Sequence, residues 1–150
     1  MPSAELRPHT NANFLVDLGY GDARSASGGF CEVIFPEFRV DSAGQTAATP
    51  LETSSGRQEA TALLQRLILR RGVTGARDLY LWWDKARRGK APLQRTVKVQ
   101  LLAADHSTVV LTWSFRQARP MSLSYSPLNA MQATTMIETI ELEFASVEVR

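Results

Sequence analysis

Two stretches in the second half of the chain alternate apolar and polar residues with a period of two, and a short tip separates them. Val97, Val99, Leu101 and Ala103 alternate with Lys98 and Gln100, and Val109, Leu111, Trp113 and Phe115 alternate with Thr112, Ser114 and Arg116. Successive side chains of a strand point to opposite faces, so each segment has one face for a core and one for water. The Asp105-His106-Ser107 tip is short enough to close a hairpin. A chain built around such a pair is directed toward antiparallel β structure with one wet face.

The same period recurs on both sides of this pair. Phe14, Val16, Leu18 and Tyr20 share one face of a segment whose other face carries Asn13 and Asp17. Phe30 to Phe35 reads as a second strand that Pro36 stops or bends, since proline cannot donate to a ladder, with Phe38 and Val40 as an extension beyond the bend. Met136, Ile140, Leu142 and Phe144 oppose Thr135, Thr139, Glu141 and Glu143. Glu138 interrupts that apolar face, which predicts a carboxylate satisfied by a partner, because a buried unpaired charge is very costly. Leu63 to Arg71 is apolar and too short for its period to choose between strand and helix. The spacing of Leu79, Trp82, Trp83 and Ala86, with basic residues in the last turn and Gly89 as a stop, predicts a helix over 76–88.

Residues 41–61 break the pattern. Serine, threonine, glycine, glutamine and alanine dominate there, and we read the stretch as an extended loop or arm that orders on a partner. The expected architecture is therefore mainly β: a single-domain β-barrel or sandwich of packed antiparallel sheets, with one flanking helix and a flexible N-terminus over 1–11. Its expected core includes Phe14, Val16, Phe30, Leu79, Trp82, Trp113, Phe115, Ile140 and Leu142.

Chemistry-bearing patterns are sparse. Seventeen Lys and Arg against fifteen Asp and Glu give a net charge of only +2. His9 and His106 fall in an expected tail and an expected turn tip, neither at ligand spacing to another donor, and no nucleotide, nucleophile or zinc motif is present. No catalytic residue, cofactor or metal is expected. Cys31 is the single cysteine and is expected to be a small buried hydrophobe. Residues 1–10 lack the apolar core of a secretory signal, and no apolar run reaches membrane-spanning length, so synthesis in the cytoplasm is expected. Arg70, Arg71, Lys85, Arg87, Arg88 and Lys90 cluster near Tyr80, Trp82 and Trp83, which leaves two readings open. One is a solvated basic face over core aromatics; the other is a monomeric β-barrel module binding single-stranded nucleic acid.

The order of short motifs adds a further constraint. Asn13-Phe14-x-Val16 is followed by Phe30-x-Glu32-Val33, Leu69-x-Arg71-Gly72 and Asp78-Leu79-x-x-Trp82-Trp83. Then come Arg95-x-Val97-x-Val99-x-Leu101, Trp113-x-Phe115-x-x-Ala118-x-Pro120, Leu128-Asn129-Ala130 and Ile137-Glu138-x-Ile140-Glu141-Leu142. This series resembles the phage tail tube family, which includes inner-tube proteins of contractile injection systems and is related to the type VI secretion tube protein. The resemblance implies a β-barrel-like fold with one helix, no catalytic residues, and subunits that form stacked hexameric rings. It further implies sheath and baseplate partners, protein or DNA cargo in the lumen, and assembly into a phage tail or a tail-like particle released from the cell. A tube-initiating or baseplate-adaptor ring of the same machine is the variant of this role. In such a subunit the arm, with Asp41, Gln45, Pro50, Glu52 and Arg57, is the expected stacking surface. Thr112, Ser114, Arg116, Thr139, Glu141 and Glu143 are the expected channel or hydrated sheet face.

Overall fold

The architecture is seen in a computed structural model, which describes residues 7–19, 29–40, 66–89 and 94–150. Among these residues seven strands and one helix follow in order: β1 (Phe14–Asp17), β2 (Phe30–Ile34), β3 (Arg66–Gly72), α1 (Asp78–Arg87), β4 (Arg95–Leu102), β5 (Val109–Tyr125), β6 (Ile137–Glu143) and β7 (Ser146–Val149). All pairings are antiparallel. Strand order is β1-β4-β5-β6-β3-β2, with β7 beside β5.

Strand β5 organises this arrangement. At 17 residues it is about three times a usual strand. Its first half pairs with β4 and β7, and its second half with β6, so it belongs to two sheets. The change occurs at Gln117. There the backbone takes φ 55°, and the register against β4 slips between Val97↔Phe115 and Arg95↔Ala118. One extra residue bends a strand and resets which side chains face inward. Phe115 and Ala118 are accordingly both buried although they are three apart. The expected barrel-or-sandwich resolves into an open, sandwich-like pair of sheets; the described strands do not close into a barrel.

The core fills the space between the sheets. Val16, Val97, Val99 and Phe115 come from the first sheet with Leu18 just after β1, Phe30, Leu67, Leu69, Ile140 and Leu142 from the second, and Leu79 and Trp82 from α1. Phe14 and Trp113 pack against this cluster while staying partly exposed. Leu67, Leu69 and Arg71 alternate inward, which settles the ambiguous 63–71 segment as a strand from Arg66 onward.

Helix α1 starts two residues later than its spacing suggested. Arg77 supplies no capping side chain; Asp78 in the first turn complements the helix dipole instead. At the other end Arg88 and Gly89 donate backbone hydrogen bonds to Asp84 and Ala86, and Gly89 takes φ 69°, a left-handed conformation that costs glycine little. Gly19 is more constrained. It combines φ 94° with a backbone approach that would leave an added Cβ 3.1 Å from the Arg95 Cβ.

Two local expectations are corrected near β2. Its pairing with β3 slips between Phe30 and Glu32, so Cys31 is pushed out of the alternation and is exposed, with its thiol 3.4 Å from the Arg70 carbonyl oxygen. The strand also ends at Ile34, before Pro36, and neither Phe38 nor Val40 continues it. Phe35 and Phe38 lie instead against the aromatic rings of β5, with Phe35–Trp113 and Phe38–Phe115 centroids 4.8 and 6.4 Å apart.

Candidate functional site

The first sheet presents one continuous polar surface. Register aligns Asp17, Lys98, Ser114 and Glu148 in a row across β1, β4, β5 and β7, with Gln100 and Thr112 paired in the next row. Arg116 reaches Glu148 at 2.8 Å, and Arg150 reaches the same carboxylate at 2.9 Å. These hydrogen bonds, from Arg150 first and then Arg116, hold the Glu148 carboxyl below its ordinary range.

The second sheet has a polar surface of its own. Arg70 pairs with Glu32 at 2.8 Å and Arg119 with Glu143 at 2.9 Å. Glu141 accepts a 2.7 Å hydrogen bond from the Ser122 hydroxyl and lies 3.8 Å from Arg66. Thr139 sits between Arg70 and Ser124 in the register. Of the six candidates for a channel or hydrated sheet face, Thr112, Ser114 and Arg116 belong to the first sheet and Thr139, Glu141 and Glu143 to the second. The arm residues Asp41, Gln45, Pro50, Glu52 and Arg57 lie outside the described residues.

Between these surfaces a charged group is buried. Arg71 is 1% exposed and Glu138 3%. The Arg71 guanidinium donates to Glu138 through Nε at 2.8 Å and to Asp78 through Nη2 at 2.6 Å, and lies 5.2 Å over the Phe30 ring. Burial opposes its charge, but the two carboxylates outweigh that and raise its pKa above the ordinary arginine value. The interruption at Glu138 signalled a buried partner without naming it. The inward alternation Leu67, Leu69, Arg71 was the sequence signal that could have done so.

The basic cluster disperses in three dimensions. Arg70 is paired, Arg71 is buried, and Arg87 and Arg88 both reach Asp84, at 2.6 and 3.2 Å. Lys90 lies outside the described residues. Trp82 is buried, with Arg95 4.5 Å over its ring. Among the described residues no group of three His, Cys, Asp or Glu is placed to hold a metal, and no helix is long and apolar enough to cross a membrane.

These features define the class as a two-sheet β-sandwich with one flanking helix among the described residues, and solved structures share the fold. A PVC sheath-tube complex from an extracellular contractile injection system contains a chain with TM-score 0.72 and 16% identity, covering 100% of this chain and 97% of that one. The tube-terminating cap of the anti-feeding prophage gives TM-score 0.69 and 16% identity over 96% of this chain and 91% of that one. Hcp1 from Flavobacterium johnsoniae gives 0.55 and 12% over 91% and 93%. No curated protein matches by sequence. The family model for T4-like virus tail tube protein gp19 matches residues 10–148, and the chain belongs to that family. It is a family of structural tube proteins.

Proposed function

We propose that this chain is an inner-tube subunit of a contractile tail or injection particle, with copies joined into hexameric rings that stack into a conduit for protein or DNA. The carrying observation is the first sheet. Among the described residues its outer strands, β1 and β7, each pair on one side only. Unpaired edges invite pairing with another chain, and closure into a ring removes them. In this four-stranded antiparallel sheet β1 and β7 run in opposite directions, so β7 of one copy beside β1 of the next continues the antiparallel ladder. Head-to-tail contacts of this kind generate rings. The polar side, with Lys98, Gln100, Thr112, Ser114 and Arg116, then lines the channel. The second polar surface, with Thr139, Glu141 and Glu143, faces elsewhere, toward the surrounding sheath and, at the end of the tube, the baseplate.

Residues 41–61 remain the proposed stacking surface. Negative-stain imaging and mass measurement of the purified chain test the proposal: rings or tubes of one channel width are expected. Alanine-glycine replacement of residues 42–60 is expected to leave a folded subunit that no longer builds tubes. A parent chain that stays monomeric at high concentration, even with sheath and baseplate proteins present, would overturn the assignment.

A further inference from the structure

Two apolar features lie at opposite ends of one pair of elements, α1 and the second half of β5. At one end the β5–β6 connection, residues 126–136, contains no charged residue and exposes Leu128 by 84% and Met131 by 93%. This loop is built, not loose. The Asn129 side chain accepts from the Met131 backbone at 2.9 Å, Ser126 and Ile137 exchange two hydrogen bonds of 2.8 Å, and Val73 donates to the Met136 carbonyl at 2.9 Å. Tyr80 and Tyr125 add exposed aromatic surface beside its root. Apolar side chains held out in water on a hydrogen-bonded loop mark a contact surface.

At the other end a cleft of about 190 Å³ opens between α1 and β5, with Trp83, Ala86, Pro120 and Met121 in its walls and Arg87 and Arg119 beside them. Small-molecule pockets run from roughly 300 Å³ upward, so this one suits a side chain or two. Both arginines are already neutralised, Arg87 by Asp84 at 2.6 Å and Arg119 by Glu143 at 2.9 Å. An uncharged apolar group therefore enters without leaving an unpaired charge in a drying contact, whereas an acidic partner would have to displace these pairs. The charge-free loop has the complementary chemistry.

The loop cannot reach the cleft of its own molecule. Pro120, in the cleft wall, and Tyr125, at the loop's root, are five residues apart on one strand, about 17 Å. We propose that the Leu128–Met131 loop of one copy seats in the Trp83–Met121 cleft of the next, a head-to-tail contact between second copies of this chain. It rests on the tube-subunit reading and adds a contact separate from the β1 and β7 edges.

The test uses full-length chains in a Cys31→Ser background, which removes the single cysteine. Met131→Cys chains and Ala86→Cys chains are mixed, allowed to assemble and oxidised. Cross-linked dimers are expected from the mixture and from neither variant alone. In a separate measurement Met131→Asp, at a position too exposed to disturb folding, is expected to raise the concentration needed for assembly about tenfold or more. Several results would overturn the contact: assembly of the parent into tubes without cross-linking in the mixture, self-cross-linking of Met131→Cys alone, or capture of the Ala86→Cys cleft by a sheath or baseplate protein. Tubes with no such cross-link leave the tube reading standing, whereas a monomeric parent removes both.

Discussion

At the level of single residues, the group formed by Arg71, Glu138 and Asp78 makes the sharpest claim. It joins β3, β6 and the first turn of α1 through one nearly inaccessible guanidinium. Removing the cation leaves Glu138 buried without its counter-charge, so Arg71→Met is expected to cost about 3–5 kcal/mol in urea unfolding. Replacing both fully buried members, as Arg71→Met with Glu138→Leu, leaves only the partly exposed Asp78 and is expected to recover most of that loss. Failure of the double variant to recover would show that the pair does more than satisfy itself. Asp105 gives a pH test at the hairpin tip. Its carboxylate accepts from the Thr108 hydroxyl and from the backbone N–H groups of Thr108 and Ser107, which hold its pKa well below the ordinary range. A depressed folded pKa contributes stability that is complete above the unfolded value of about 4 and is lost as pH falls through the folded one. NMR titration is expected to find the Asp105 midpoint well below the ordinary carboxylate range, and Thr108→Val is expected to raise it. The sequence marked Glu138 as anomalous because its local period broke. It could not say that Arg71, 67 positions away, completes the pair.

At the level of elements, β5 decides the shape. Its alternation was legible through Phe115, and Gln117 then ended it without a proline or glycine to give warning. A non-glycine residue at φ 55° carries a left-handed penalty, roughly 1–2 kcal/mol. Gln117→Gly relieves that penalty and adds unfolded-chain entropy of about 0.4–1 kcal/mol in the opposite sense. The expected net effect is a stabilisation of up to about 1.5 kcal/mol, read as a higher midpoint in thermal or urea unfolding. A clear loss of stability would show that the glutamine side chain, and not its backbone, holds the bend. The short β7 escaped sequence reading because Val147 and Val149 around Glu148 give too few alternations to stand out. It exists because β5 offers it an edge.

At the level of the whole molecule, the described arginines of the second sheet and of the end of α1 are largely paired with carboxylates. On the second sheet Arg66, Arg70 and Arg119 meet Glu141, Glu32 and Glu143, and at the end of α1 Asp84 meets Arg87 and Arg88. A surface of paired charges releases few counterions when a polyanion approaches. Binding of single-stranded DNA is therefore expected to be weak and to change little between low and moderate salt, as measured by fluorescence anisotropy. Affinity that falls steeply with salt would restore the nucleic-acid module as the better reading.

Local alternation along the chain was enough for the β class, the positions of its long alternating segments, the helix near 78–87 and a partnered carboxylate at Glu138. Each of these is written in a local period of two or 3.6, because a residue's face follows from its immediate neighbours along the backbone. The tertiary structure alone decided which strands pair, where β5 passes from one sheet to the other, that the expected hydrated residues divide between two surfaces, and which cation meets Glu138. Those outcomes depend on contacts between residues far apart in the chain, and no local period records them.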